Sequence, residues 1–226
     1  MKDYIEFVIK KFENHKDAEK AIPMEKYMQN KFKFIGIKKP ERNVIQKQIG
    51  LEIGSPSVEE LPVVIKSLWD LPYREYQYFA LNLLEKYKNR VPPETIDLYY
   101  KLITTKSWWD SVDSIAVQLV GPLVGQHPKL IKTHIEHWSL STNIWLKRTS
   151  ILYQLKYKSE TDTDLLSLYI KRSMNTQEFF LNKAIGWALR EYGKSNPNFT
   201  VDFVAGHLSL SNLSKREAMK YIGTAK

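Results

Sequence analysis

Residues 105–116 read Thr105-Lys106-Ser107-Trp108-Trp109-Asp110-Ser111-Val112-Asp113-Ser114-Ile115-Ala116. Wound as a helix at about 100° per residue, they set Trp108, Val112, Ile115, Ala116 and the following Leu119 in one apolar stripe. Trp109 and Asp113, four residues apart, fall together just beyond the edge of that stripe, where the core needs neither. An indole and a carboxylate paired on one helix flank suit a binding or catalytic surface. They equally suit a tryptophan packed on a neighbouring repeat and an aspartate paired with a nearby base.

The helical pattern extends outward from this segment. Val63, Val64, Ser67 and Leu68 keep the same spacing, as do Tyr76, Phe79, Ala80, Leu83, Leu84 and Tyr87. Stops are expected at Gly54-Ser55-Pro56, Leu71-Pro72, Val91-Pro92-Pro93, Gly121-Pro122, His127-Pro128 and Asn196-Pro197. Ser57 and Ser214 read as helix caps. No stretch alternates in the manner of a strand. Roughly a dozen helices of about ten to seventeen residues, joined by short connections, should pack antiparallel. Trp69, Trp108, Trp145 and Trp187 recur at intervals of 37 to 42 residues, near the ~40–47 residue period of helical-pair repeats. The fold class is therefore all-α, an α-α superhelix (solenoid) of helical repeats with a concave face, in one domain over residues 1–226.

Two further helices carry residues that packing does not explain. In Asn143–Lys156, Ile144, Ile151, Leu152 and Leu155 form the apolar stripe, and Arg148 falls inside it. A buried arginine must meet a carboxylate, a carbonyl cluster or a phosphate. An Asp–Arg bridge between repeats meets that need as well as a bound phosphate does. In Gln177–Tyr192, Leu181, Ala184, Ile185, Ala188 and Leu189 supply the core side. Lys183, Trp187 and Arg190 share the other side, with Gly186 among them. Glycine inside a helix costs about 1 kcal/mol relative to alanine, which points to close approach by another backbone. Basic residues beside an aromatic suit a sugar–phosphate backbone, or simply a solvated face. His134-x-x-His137 has metal-ligand spacing but no third ligand nearby, so no metal is expected. The Lys31–Lys39 cluster leads into Pro40-Glu41-Arg42, a helix start whose N-terminus can hold phosphate.

The chain has 34 Lys and Arg against 25 Asp and Glu, a net charge of +9. The excess is segregated. Residues 31–49 hold six bases and one acid, residues 141–194 nine bases and five acids, and the stretch between is slightly acidic. Segregated positive charge fits a polyanionic partner, and serves simple solubility equally well. The absence of cysteine excludes disulfides, thiolate metal sites and cysteine nucleophiles. Charges interrupt the N-terminal MKDYIEFVIKKFENH, which reads as neither a signal peptide nor a membrane span. A cytoplasmic protein with no membrane partner is expected. No P-loop, dinucleotide fingerprint, HExxH or GxSxG motif occurs.

The stretches TTKSWWDSVDSIA (104–116), SLSTNIWLKRTSILYQLKYK (139–158), EFFLNKAIGWALREYGKSNP (178–197) and LSKREAMK (213–220) resemble the bacterial DNA alkylation repair glycosylases of the AlkD type, built from HEAT-like repeats. MEKYMQN with FIGIKKPER near the N-terminus, and LWDLPYREYQ at 68–77, fit the same pattern. The resemblance covers essentially the whole chain. It implies a catalytic cleft at Trp109, Asp113 and Arg148. It further implies a concave DNA-binding face that includes Tyr27, Lys38, Lys156, Lys183, Trp187 and Arg190. Lys38 departs from the uncharged polar residue the pattern implies there.

The implied activity is base excision repair, with hydrolysis of the N-glycosidic bond of N3- and N7-alkylated purines in double-stranded DNA. Alkylation leaves positive charge on the purine, so the base departs neutral without a strong general acid. Positive charge then develops on the deoxyribose. Asp113 can stabilise it and position water, Trp109 can offer a π-face, and Arg148 can clamp a phosphate or fix Asp113. No cofactor is needed, and a monomer is expected. A non-catalytic HEAT-repeat protein binding unusual or branched DNA is the alternative. A helical scaffold for another protein explains the repeats but not the charge segregation.

Overall fold

A computed structural model describes residues 2–222. Apart from one parallel bridge pairing Lys33 with Tyr73, the described residues form helices and their connections, as the all-α reading requires. Within the span 1–226, expected as one domain, the chain separates into two compact units between Val91 and Pro92. Residue 1 and residues 223–226 of that span lie outside the described residues.

The first unit holds α1 (Lys2–Glu13), α2 (Ala18–Tyr27), α3 (Lys39–Ile53), α4 (Leu61–Asp70) and α5 (Arg74–Tyr87). Helix α1 packs on α3 and α4, and α5 on α3 and α4. Their apolar faces meet in a core where Phe12 lies 5.3 Å from the Tyr76 ring and 5.6 Å from Phe79. Each such large side chain contributes roughly 1.5–3 kcal/mol on burial. Ser57 acts as expected: it accepts from the Glu60 N–H, and the Glu60 carboxylate accepts from the Ser57 N–H, a reciprocal capping box ahead of α4.

The connection from α2 to α3 is held by an acid. Glu75, fully buried in the first turn of α5, accepts from the backbone N–H groups of Ile35, Gly36 and Ile37 at 3.0, 2.9 and 3.1 Å. Gly36 has φ +103°, and a side chain there would collide with the Asp17 carbonyl, so only glycine fits. This brace delivers the chain to exposed Lys38, which caps α3.

The second unit runs α6 (Thr95–Thr104), α7 (Trp109–Ser114), a π-helical segment (Ile115–Val120), α8 (Gly121–Gln126), a second π-helical segment (Ile131–Ile135), α9 (Glu136–Leu140), α10 (Ile144–Leu152), α11 (Thr163–Lys171), α12 (Phe179–Gly193), α13 (Pro197–Gly206) and α14 (Asn212–Ala218). Helix α10 is its hub, packed on α6, α7, α9, α11 and α12, and α12 in turn packs on α13 and α14.

Three local expectations are corrected here. Gly121-Pro122 does not stop a helix. Residues 109–126 run on as α, π and α: the Gly121 N–H reaches back five residues to the Ala116 carbonyl, and Pro122 follows in the first turn of α8. The short α-helical pieces in this run also fall below the expected length. Gly121 is needed for a different reason: a Cβ there would strike the Tyr153 carbonyl. Ser214 is not the cap of the last helix. Ser211 is, accepting from the Ser214 N–H at 3.0 Å, while Ser214 is buried inside α14 and donates to the Asn182 carbonyl.

Candidate functional site

The segment around Asp113 starts on an aromatic foundation. Trp108 has extended backbone and caps α7 from outside the helix, yet its ring remains in the core. It lies 5.7 Å from the Trp145 ring on α10 and 4.9 Å from Phe180 on α12. Val112, Ile115, Ala116 and Leu119 are buried with it, as the stripe predicts. Trp109, the first residue of α7, and Asp113, one turn on, are both half-buried on the flank.

Arg148 lies buried in α10 and turns its guanidinium to Asp113. Nε donates to Oδ1 at 2.7 Å and Nη2 to Oδ2 at 2.8 Å, a two-pronged grip. Nη1 donates to the Phe180 carbonyl. The partner demanded by an arginine in an apolar stripe is thus both a carboxylate and a carbonyl. The Arg148 side chain is only 5% exposed against 16% for Asp113, so the arginine fixes the aspartate and presents little surface to a phosphate. Burial pushes the Asp113 carboxyl above its ordinary value, while the Arg148 hydrogen bonds and charge pull it back down.

Asp113 opens onto a cleft of about 350 Å³ lined also by Ser114, Val117, Gln118, Leu155, Lys156, Trp187 and Glu191. Sequence-predicted Lys156 and Trp187 therefore share the cleft with Asp113. Lys156 lies past the end of α10 and donates to Gln118 Oε1 at 2.7 Å. Trp187 is half-buried on α12, the one aromatic among the lining residues.

Lys183 and Arg190 lie one turn before and after Trp187, but both are engaged. Glu217 of α14 takes Lys183 Nζ at 2.9 Å on one oxygen and Arg190 Nη1 at 2.6 Å on the other. These hydrogen bonds hold the Glu217 carboxyl below its ordinary value. Gly186 makes this possible: a Cβ there would sit 2.5 Å from the Glu217 Cβ and 2.9 Å from the Ser214 carbonyl oxygen. Close approach by another backbone, read from the glycine, is observed. Glu217 itself was missed, because a lone acid in a short C-terminal helix carries no periodic signal. Glu75 was missed because an acid in the first turn of a helix reads as an ordinary surface charge beside the helix dipole.

In the first unit, Tyr27 ends α2 with 71% of its surface exposed, and Lys38 is exposed at the start of α3. His134 meets Thr133 at 2.8 Å and Asp97 at 3.6 Å. Among the described residues no three His, Cys, Asp or Glu side chains cluster to hold a metal, and no helix is long and apolar enough to cross a membrane.

A helical-repeat protein with a fixed carboxylate in an open, tryptophan-bearing cleft is the class these features define. The chain belongs to the DNA alkylation repair enzyme family, whose model matches residues 8–222. Its fold is also similar to a solved structure described as a predicted DNA alkylation repair enzyme from Enterococcus faecalis. That likeness has 35% identity and a TM-score of 0.85, covering 93% of this chain and 98% of the other. No curated protein matches. The role of the chain lies in the repair of alkylated DNA.

Proposed function

We propose that the protein is a monofunctional DNA glycosylase that hydrolyses the N-glycosidic bond of N3- and N7-alkylated purines in double-stranded DNA. One observation carries this reading: the Asp113 carboxylate, gripped by Arg148, at an open cleft that also holds Trp187 and Lys156.

The C1′–N bond breaks with its electron pair leaving on the base, which neutralises the cationic purine. Positive charge builds on the deoxyribose. Asp113 faces that charge, its orientation set beforehand, so no reorganisation is needed as the bond stretches. Arg148 occupies one lone-pair direction on each carboxylate oxygen, and the others remain to hold the attacking water. Water adds at C1′ and loses a proton to Asp113 and then to solvent. Trp109 supplies a π-face to the sugar cation. Arg148 is a positioning residue, since it acts through Asp113. Lys156, Trp187, Lys183 and Arg190, with Tyr27 and Lys38 from the first unit, contact the DNA. The open cleft favours lesion exposure at the surface over burial of a flipped base.

The test is release of N7-methylguanine from a duplex carrying one such base, with wild type beside Asp113→Asn. Wild type should release the base, and the variant should be slower by on the order of 10²–10³-fold. No release by wild type, with salt-sensitive DNA binding retained, would replace this reading with that of a non-catalytic binder of unusual or branched DNA.

A further inference from the structure

In the first unit α3 and α5 border a groove of about 640 Å³. Lys39, Asn43 and Lys47 stand along one side at four-residue steps, each about 6 Å along the helix axis. Lys86 stands on the other side. All four are exposed, and none has an ion-pair or side-chain hydrogen-bond partner among the described residues. This contrasts with Lys183 and Arg190, which a carboxylate already holds. The floor is an amide pair, with Asn82 Nδ2 donating to Gln46 Oε1 at 3.0 Å. The Gln46 amide nitrogen is buried and unpartnered, so the floor has donor capacity to spare. Glu85 is the one acid in the lining, and it lies 3.9 Å from Lys88.

Gly50 adds an independent observation. It lies inside α3 and lines the groove, and a Cβ there would meet nothing within 4 Å. Nothing in the protein requires glycine at a position where alanine would favour the helix by about 1 kcal/mol. Close approach of a ligand to the helix would account for it. The positive end of the α3 dipole lies beside Lys39, and capping Lys38 makes no side-chain hydrogen bond to the first turn.

We infer that this groove binds the sugar–phosphate backbone of duplex DNA, as a phosphate track belonging to the first unit. Lysines and amide donors at regular steps match a line of phosphates in chemistry and in order of spacing. Such contacts fix register on the duplex and carry no base specificity. The inference rests on the proposed duplex substrate, but it concerns binding and not bond cleavage.

The test measures binding of a labelled undamaged duplex across a salt series, together with single-turnover release of N7-methylguanine at saturating protein. Lys39→Ala/Lys47→Ala/Lys86→Ala should weaken binding and make the salt slope shallower by roughly 2–3, at ~0.9 per phosphate contact. Release at saturation should stay at the wild-type rate. Lys101→Ala/Lys129→Ala/Lys132→Ala removes the same charge from exposed sites in the second unit and should change the slope little. Gly50→Leu should keep or raise the melting temperature and still weaken binding. Equal losses in the two triple variants, or unchanged binding in both Gly50→Leu and the groove triple variant, would overturn the proposal. Failure of wild type to release base would strike the glycosylase reading alone, because the binding measurements would still report on the groove.

Discussion

The second unit contains two carboxylates, Asp113 held by one base and Glu217 by two, whose pKa values are shifted in opposite directions. Asp113 meets Arg148 through two short hydrogen bonds, yet its carboxyl is pushed up. Glu217 meets Lys183 and Arg190, and its carboxyl is held down. At Asp113 desolvation dominates, because its partner is buried in the α10 stripe. At Glu217 the partners are more exposed, with 38% of the Lys183 side chain in solvent, and hydrogen bonding dominates. A carboxylate held against a desolvation penalty is poised to meet a developing cation, which returns part of the lost stabilisation. A carboxylate already satisfied by two cations serves to fasten α14 onto α12.

The largest effect that would break this contrast is at Arg148. Arg148→Ala leaves a half-buried, largely desolvated carboxylate without its partner, and the cost should be up to about 3–5 kcal/mol of stability. The Phe180 carbonyl loses a donor as well. Base release should fall at least as far as in Asp113→Asn. Arg148→Lys keeps the charge but cannot grip both oxygens, so it should recover most of the stability and little of the rate. Recovery of both would mean that charge alone matters and that the fixed orientation of Asp113 does not.

A smaller effect lies in the pH dependence. The proposed chemistry needs Asp113 ionised. Its folded pKa lies above the ordinary 3.8, so release should decline on the acid side at a pH higher than an unperturbed carboxylate would give. Single-turnover rates across pH, corrected for spontaneous depurination, measure that limb. Glu217→Gln should leave it in place. A limb at or below the ordinary aspartate value would show that the Arg148 grip outweighs burial, and the two carboxylates would then be alike.

Which parts of this were legible in the sequence follows from the range of the forces involved. Trp109 and Asp113 stood out because helical geometry relates residues four apart without any tertiary knowledge. Arg148 stood out because a guanidinium in an apolar stripe requires a partner, though whether that partner was protein or phosphate stayed open until α7 and α10 were placed side by side. Gly186 signalled a close neighbour without naming it. Glu75 and Glu217 were invisible, since each acts on a segment more than 25 residues away and sits in a pattern any surface acid would fit. The π turn before Pro122 was equally hidden: a glycine–proline pair reads as a stop unless the register of the preceding turn is known.

The smallest effect belongs to Glu217→Gln, and its sign is the informative part. The lowered folded pKa means that Glu217 contributes stability above its ordinary value of 4.5, and that this contribution is lost as pH falls through the folded pKa. The variant should therefore melt slightly lower than wild type at neutral pH, by under about 1 kcal/mol, since Lys183 keeps 38% of its side chain in solvent and Arg190 remains beside the amide. The difference should shrink in acid. In the proposed complex, however, phosphate competes with this carboxylate for Lys183 and Arg190. Neutralising Glu217 removes the competitor, so DNA binding should tighten, and its salt slope should steepen by roughly 1–2. A variant that loses stability but gains affinity separates a fastening role from a DNA-binding one on the same two bases. Weaker binding in Glu217→Gln would instead show that Lys183 and Arg190 serve DNA only when Glu217 holds them in place.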